Sequence, residues 1–464
     1  VGRKGFVAAQ RVFGIYFGAG NMAVISVASG AGQSLVFTVT GTWTTAYADA
    51  FASYASTVGT WTSLDAPTSD VARGNEPAAL GTNTLYTFDQ IGGSALAVGG
   101  YLLDSAAGAS TIYGSGAGDT VLFAGVNQAG LYVDNGGSNQ IIFVSGDNTY
   151  DGVNATGADT IVAGSGFDTI NTGEAGTATV DSGTGNADIT LYDTTAGSTF
   201  NDLVYLDDGM STVYADGMFD GVVANAAGQT LIGGTVAGGQ DAFVLNTAEL
   251  ASTVSAGDMV VAGAATTTVL DGTSNNTIFG GSGVLFYSEG ASVTSAYIVG
   301  GSGGEYIFGA AGSTLAIDAL AANTAPNELV AGAGSESMYG GYSTGNLLFF
   351  GGVASDSTSA GTYNETLTGG SGNDTFVTGS GFESLTGGAG DNLFVIDASS
   401  VGGANITIAD FGASAGNLYE FSGFTGDPIV SETEGSAGVT LTLSDNTTVT
   451  FLGETTAGLN GHLV

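Results

Sequence analysis

Between residues 360 and 395 a large apolar residue returns every nine positions behind a glycine-rich turn. No other feature limits the fold of this chain more. Four consecutive nonapeptides, AGTYNETLT, GGSGNDTFV, TGSGFESLT and GGAGDNLFV, share one register. Their eighth places hold Leu367, Phe376, Leu385 and Phe394; their sixth places hold Glu365, Asp374, Glu383 and Asn392. Helices repeat about every 3.6 residues and half-buried strands every two, so neither explains a period of nine. A run of three to five strand formers closed by a turn, then repeated, is the signature of rungs in a solenoid. Upstream, Leu329, Met338 and Leu347 keep the same period, with Glu336 at a sixth place, and the register slips by two residues before Glu365. NATGADTIV and AGSGFDTIN, over 154–171, are adjacent copies with Asp159 and Asp168 at sixth places, and IVGGSGGEYIFG puts Glu305 at another. From about residue 95 short runs such as TVLF, QIIFV, TLIGG and TIFGG recur between Gly, Asn, Asp and Ser.

Charge narrows the function. Lys and Arg total 4 and Asp and Glu 43, for a net charge of −39. The four basic residues are Arg3, Lys4, Arg11 and Arg73. A chain that must neutralise phosphates needs Lys and Arg, so nucleic acid and anionic membrane surfaces are excluded as expected partners. Close-set carboxylates repel one another in a folded protein, and divalent cations relieve that repulsion; calcium prefers oxygen ligands. A plain solubilising surface is the competing reading. There is no cysteine, so disulfides and thiolate chemistry are absent. No stretch of 18 uninterrupted apolar residues marks a membrane-spanning helix.

The nonapeptides, GGSGNDTFV above all, resemble the RTX (repeats-in-toxin) motif GGxGxDxUx, in which U is a large apolar residue. The resemblance implies a parallel β-solenoid or β-roll in which two nonapeptides make one coil and calcium is held between stacked turns. Loop 369–374 would then lie on loop 387–392, with Gly370 and Gly372 supplying turn carbonyls and Asp374 beside Asp391 and Asn392. On the opposite edge Glu365 would lie over Glu383. Asp159 and Asp168 are the upstream candidates for calcium. Only one copy of the motif is strict, so few sites are expected. The segment FVIDASSVGGANITIADFGASAGNLYEFSGF, over 394–424, is similar to the region that follows the repeats in RTX proteins, with Ile408-Ala409-Asp410-Phe411 as its Ile-x-Asp-Phe element. In that family such a tail carries the signal for type I secretion. This implies the secretion machinery as a partner and an extracellular or cell-surface location on a Gram-negative bacterium.

The expected organisation is all-β with a small α+β domain in front. Residues 1–94 form that domain, with a short helix at about 45–58 (Tyr47, Phe51, Tyr54 and Val58 on one face) and a linker at about 64–81. Residues 95–395 form the solenoid and 396–464 a β cap. Residues 1–21 hold three of the four basic residues and no acid, which suggests that the natural chain starts at Met22.

An enzyme is not expected. The single histidine, His462, excludes an HExxH zinc helix. The GxSxG match at Ser302 lacks a strand-to-helix context and is coincidence in so glycine-rich a chain. No P-loop is present. The expectation is a calcium-binding structural protein of the cell surface or matrix that self-assembles through an open solenoid end. The alternatives are a monomeric adhesin that binds glycans, such as a cell-surface polysaccharide, and a hydrolase with an unrecognised site.

Overall fold

The structure is a computed structural model. It describes residues 109–464 apart from 115, 117, 124–128, 193–201, 208, 227, 237–238, 246–256, 273–274, 291–292, 294, 310–313, 320–326, 331–336, 340–346, 351–363 and 399–401, together with the backbone of strands within 15–40 and 85–104. The helix expected over 45–58, the linker over 64–81 and Glu336 lie outside the described residues. The chain divides into two compact units, Val1–Val213 and Tyr214–Val464. Each contains a parallel β-solenoid, as the nine-residue period implies.

The first unit opens with a three-stranded antiparallel sheet of Ile15–Gly18, Met22–Ala28 and Ser34–Thr40. Parallel pairing starts at Leu85–Phe88, which lies beside Tyr101–Asp104, somewhat before the change of sequence texture at 95. From there the strands alternate between two parallel sheets. On one, Thr120–Phe123, Gln140–Phe143, Ala158–Val162, Thr177–Asp181 and Asp202–Leu206 are successive neighbours. On the other, Ala109–Tyr113, Ala129–Val133, Thr149–Asp151, Phe167–Asn171 and Asn186–Leu191 follow one another. Every second side chain points inward, and the eighth-place residues Ile161 and Ile170 are fully buried.

The second unit repeats the plan. Its two sheets run from Phe219–Ala224 to Leu418–Ser422 and from Thr230–Gly233 to Asn405–Ile408. The predicted row of Leu367, Phe376, Leu385 and Phe394 is fully buried and alternates between the sheets. Rung spacing of about 4.8 Å sets aromatic rings face to face. Phe349, Phe376 and Phe394 stack with centroids 4.8 and 5.1 Å apart.

The coils are less regular than two strict nonapeptides. Successive sixth places are separated by 18 residues from Asp374 to Asn392, by 20 from Asp119 to Asn139 and by 29 from Gln229 to Asp258. Strand cores keep their register while the intervening turns take up extra residues. One expectation changes as a result. Leu347 does not continue the eighth-place row from Leu329; Phe349 does, paired with Leu329 on one side and Phe376 on the other. Leu347 occupies a sixth place, opposite Asn327. The run LLFF is apolar throughout, so periodicity could not choose between the two.

The second unit ends in the expected β cap. Thr448–Leu452 adds in parallel to Asn405–Ile408, and Gly438–Leu443 and Ile429–Gly435 follow antiparallel. A one-turn helix, Thr456–Leu459, capped by the Thr455 side chain, leads to a tail that bridges Tyr419 at Leu463. Phe411 is buried beneath this end, edge-on to Phe451, Tyr419 and His462. The outermost strand, Ile429–Gly435, is mostly exposed and carries Glu432 and Glu434. Charged residues on an edge strand oppose the addition of another chain. Among the described residues no helix is long and apolar enough to cross a membrane.

Candidate metal centre

A stacked turn brings peptide groups within van der Waals contact of the coil beneath, so side chains other than glycine rarely fit. At Gly390, where φ is +95°, an added Cβ would stand 2.0 Å from the carbonyl oxygen of Gly372. Loop 387–392 therefore does lie on loop 369–374. Gly370 and Gly372 are buried in it, and the Gly370 carbonyl accepts the Ala389 N–H at 3.0 Å.

Asp374 is 1% exposed. Its Oδ1 accepts the backbone N–H of Leu347 at 2.8 Å, and its Oδ2 accepts that of Gly370 at 2.8 Å. Its own N–H donates to Asn392 Oδ1 at 2.9 Å, and the Asn392 N–H donates to Asn417 Oδ1 at 2.8 Å. The sixth place is thus one bond in a ladder: each side-chain oxygen takes the N–H of the coil before. Further back along the same row the Glu305 N–H donates to Asn327 Oδ1 at 2.9 Å. On the other sheet Gln229 donates to Asp258 and Asp258 to Asn276.

The first unit builds the same ladder twice. The N–H of Asp119 goes to Asn139 Oδ1 and that of Asn139 to Asp159 Oδ1, both at 2.8 Å. On the opposite edge the N–H of Gly130 goes to Asn148 Oδ1 at 3.0 Å and that of Asn148 to Asp168 Oδ1 at 2.9 Å. The second carboxylate oxygen often closes its own turn. Gly164 donates to Asp168 Oδ2, Gly217 to Asp220 Oδ2 and Gly234 to Asp241 Oδ2. Glu305 and Glu383 accept from Gly301 and Gly379 in the same way.

The nine predicted site residues fall in separate places. Asp374, Asn392, Asp391, Gly370 and Gly372 share the stacked turns. Asp391 is exposed there and accepts the Ser414 hydroxyl at 2.7 Å. Glu365 pairs with Glu383 on the opposite sheet; the Glu365 side chain lies outside the described residues. Glu383 is buried, with Oε2 lacking a hydrogen-bond partner. Asp159 and Asp168 lie in different sheets.

Calcium takes six to eight oxygen ligands. At the strict loop one buried carboxylate is present, each of its oxygens already receives an N–H, and the buried amide nitrogen of Asn392, a donor, has no partner. Burial pushes the Asp374 carboxyl up to about 6, that of Asp168 to about 6, Asp241 to about 7, Asp258 to about 6 and Glu383 to about 8. Such sites favour a proton over a bare charge. Among the described residues no three of His, Cys, Asp and Glu converge as metal ligands. The side-chain oxygens described here serve backbone N–H groups.

Asn139, Asn148, Asn327 and Asn417 also belong to the ladder; each stands two residues before a buried side chain, Ile141, Tyr150, Leu329 or Tyr419, and that position is their signal in the sequence. Asp410 of the Ile-x-Asp-Phe element accepts from Gly387 at 2.7 Å and Gly388 at 2.8 Å, pinning the last turn. His462 Nδ1 lies 2.7 Å from the Asn417 carbonyl, inside the cap. Comparison of the chain with protein-family models, with curated proteins and with solved structures finds no match.

Proposed function

We propose that this chain is a secreted, non-catalytic structural protein of a bacterial cell surface or extracellular matrix. The observation that carries the reading is the sixth-place ladder. Each coil supplies hydrogen-bond acceptors to the one before, so stability accrues rung by rung along the solenoid. A fold built this way serves as a spacer or scaffold and stands without an ion between its turns. The likeness of 360–464 to RTX proteins supplies the export route, type I secretion from a Gram-negative cell.

Assembly in this reading is side by side. Glu432 and Glu434 oppose growth at the last strand edge, whereas the outer face of one sheet in the second unit carries an apolar row. Phe286 is 39% exposed and stacks on Tyr306 at 4.9 Å, and Phe308 is also 39% exposed. The same row favours a second reading, an adhesin whose aromatic residues meet a glycan.

Negative-stain electron microscopy of the full chain, in millimolar calcium and after EGTA, tests the proposal. Ordered sheets or filaments in both conditions, dispersed by Phe286→Ser with Tyr306→Ser, are expected. Assemblies that vanish in EGTA would restore calcium as the organising ion. Dispersed particles that bind a polysaccharide, and lose it on the same double substitution, would establish the adhesin.

A further inference from the structure

The two outer faces of the second unit differ, although the same coils build both. In the sheet that runs from Phe219–Ala224 to Leu418–Ser422, the eighth places Leu329, Phe349, Phe376 and Phe394 are buried. Strand alternation turns the ninth places outward. There Val330 lies beside Phe350, Phe350 beside Val377 and Val377 beside Val395. Followed back, the row passes through Phe308, Ser288 and Leu270 to Val244. Every member except Ser288 is Val, Leu or Phe. Leu270 is 50% exposed, and Val330, Phe350, Val377 and Val395 are half-buried. The seventh places make a second outward row, which includes Phe286, Tyr306, Leu348 and Leu393. Between the rungs of Val244 and Val395, Glu328 is the one charged residue in the two rows.

The other sheet presents hydroxyls over the last coils. Its outward rows there hold Thr366, Ser384 and Thr407, with Thr368 beside Thr386. The repeat itself therefore does not demand an apolar exterior. The apolar rows belong to one face.

Size and charge indicate what covers that face. Rungs about 4.8 Å apart make the row from Val244 to Val395 roughly 35 Å long. Two rows about 7 Å apart, with the reach of their side chains, give an apolar strip of roughly 500 Å². A contiguous patch of that size marks an interaction surface. Doubled, it comes to about 1,000 Å², which a specific but weak protein pair buries. The chain carries a net charge of −39, so copies repel where acid meets acid, and this strip is a place where they can meet without doing so. A ridge with the period of a solenoid rung is matched in step by another surface of the same period, and a second copy supplies one. The hydroxyl rows of the other sheet are a poor mate for Phe and Val, so the apolar face meets itself.

We propose that two copies of this chain pack the face of Phe308, Val330, Phe350, Val377 and Val395 against itself about a two-fold axis. This rests on the side-by-side assembly proposed above and specifies its first contact. A face that meets itself gives a closed pair, so a layer or filament needs a further contact between pairs.

Sedimentation velocity of the full chain in EGTA, over a range of concentrations and salt, tests the pairing. A reversible dimer that dissociates at micromolar concentration is expected. Salt should tighten it by screening the acids outside the strip. Phe350→Ser with Val377→Ser should weaken it at least about tenfold. Tyr297→Ser, at an exposed position on the other sheet, should leave it unchanged. Should the double variant not fold, Phe308→Ser, at a more exposed position of the same row, replaces it. Monomers at every concentration and salt would overturn the inference. So would pairing untouched by the row variants or lost with Tyr297→Ser, and so would open-ended growth in place of a dimer. Monomers that bind a neutral polysaccharide or phosphatidylcholine vesicles, and lose this with the row variants, would overturn it by giving the face another occupant. Layers in micrographs from a chain that does not pair would defeat the pairing and leave the structural role standing. Pairs that never build layers would do the reverse.

Discussion

Asp374 shows at the scale of one residue how a repeat position acquires its role. Its carboxylate ends two backbone N–H groups, one from the coil before and one from its own turn. A buried donor left without an acceptor costs about 1–3 kcal/mol. Asp374→Ala strands both donors and is expected to destabilise the second unit by roughly 2–4 kcal/mol. Asp374→Asn keeps one acceptor and should cost about half as much. Urea unfolding in calcium and in EGTA checks this; a loss seen only with calcium present would mean that Asp374 acts as a ligand. The position was legible from the nine-residue period. Its bonding was not, because an N–H at a sixth place has two competing acceptors. The Thr267 N–H goes to the Val284 main-chain carbonyl, whereas the Asp374 N–H goes to a side chain. Which acceptor wins depends on the register of the neighbouring coil.

A turn is the element on which stacking depends. Gly390, with φ of +95° and the Gly372 carbonyl in the way of any Cβ, admits no other residue without moving the coil beneath. Gly390→Ala should lower stability by about 2 kcal/mol or more, as strain at positive φ adds to the clash. Gly435→Ala, where a Cβ meets nothing within 4 Å, should change it by less than about 0.5 kcal/mol. Thermal melts of the two variants side by side give the comparison; equal losses would mean that turn contact does not limit stacking. The strands were readable because alternation and the eighth-place apolar residue both mark them. The lengths of the turns were not, since 18- and 20-residue coils use the same alphabet of Gly, Ser, Asn and Asp.

Over the whole molecule the buried acids act together. Asp134, Asp168, Asp258 and Asp374 are raised to about 6, Asp241 to about 7 and Glu383 to about 8, with burial the largest cause at each. Each binds protons more tightly folded than unfolded, so the folded chain takes up protons between about pH 4 and 8. Stability should therefore increase as pH falls from 8 to 5, a direction opposite to that of proteins held by ionised carboxylate pairs. Urea midpoints across this range test the sum, and a midpoint that rises toward pH 8 would contradict it. The composition foretold repulsion among acids. It did not foretell that many would sit inside, because net charge says nothing of which carboxylates face the solvent.

The amino-acid sequence alone determined that this chain forms parallel rungs: a period of nine, with strand formers at the eighth place and glycine in the turns, fits no other regular structure. It also placed Asp374 over the stacked turn and Glu365 beside Glu383. The tertiary structure decided which backbone N–H groups the acids meet there. A carboxylate in a glycine turn can face a cation, a backbone N–H or another carboxyl group, and local sequence is compatible with all three. The choice rests on where the next coil sets its donors, and coils of unequal length bring together residues such as Asp134, Asn139, Tyr150 and Asp159 that no single repeat contains.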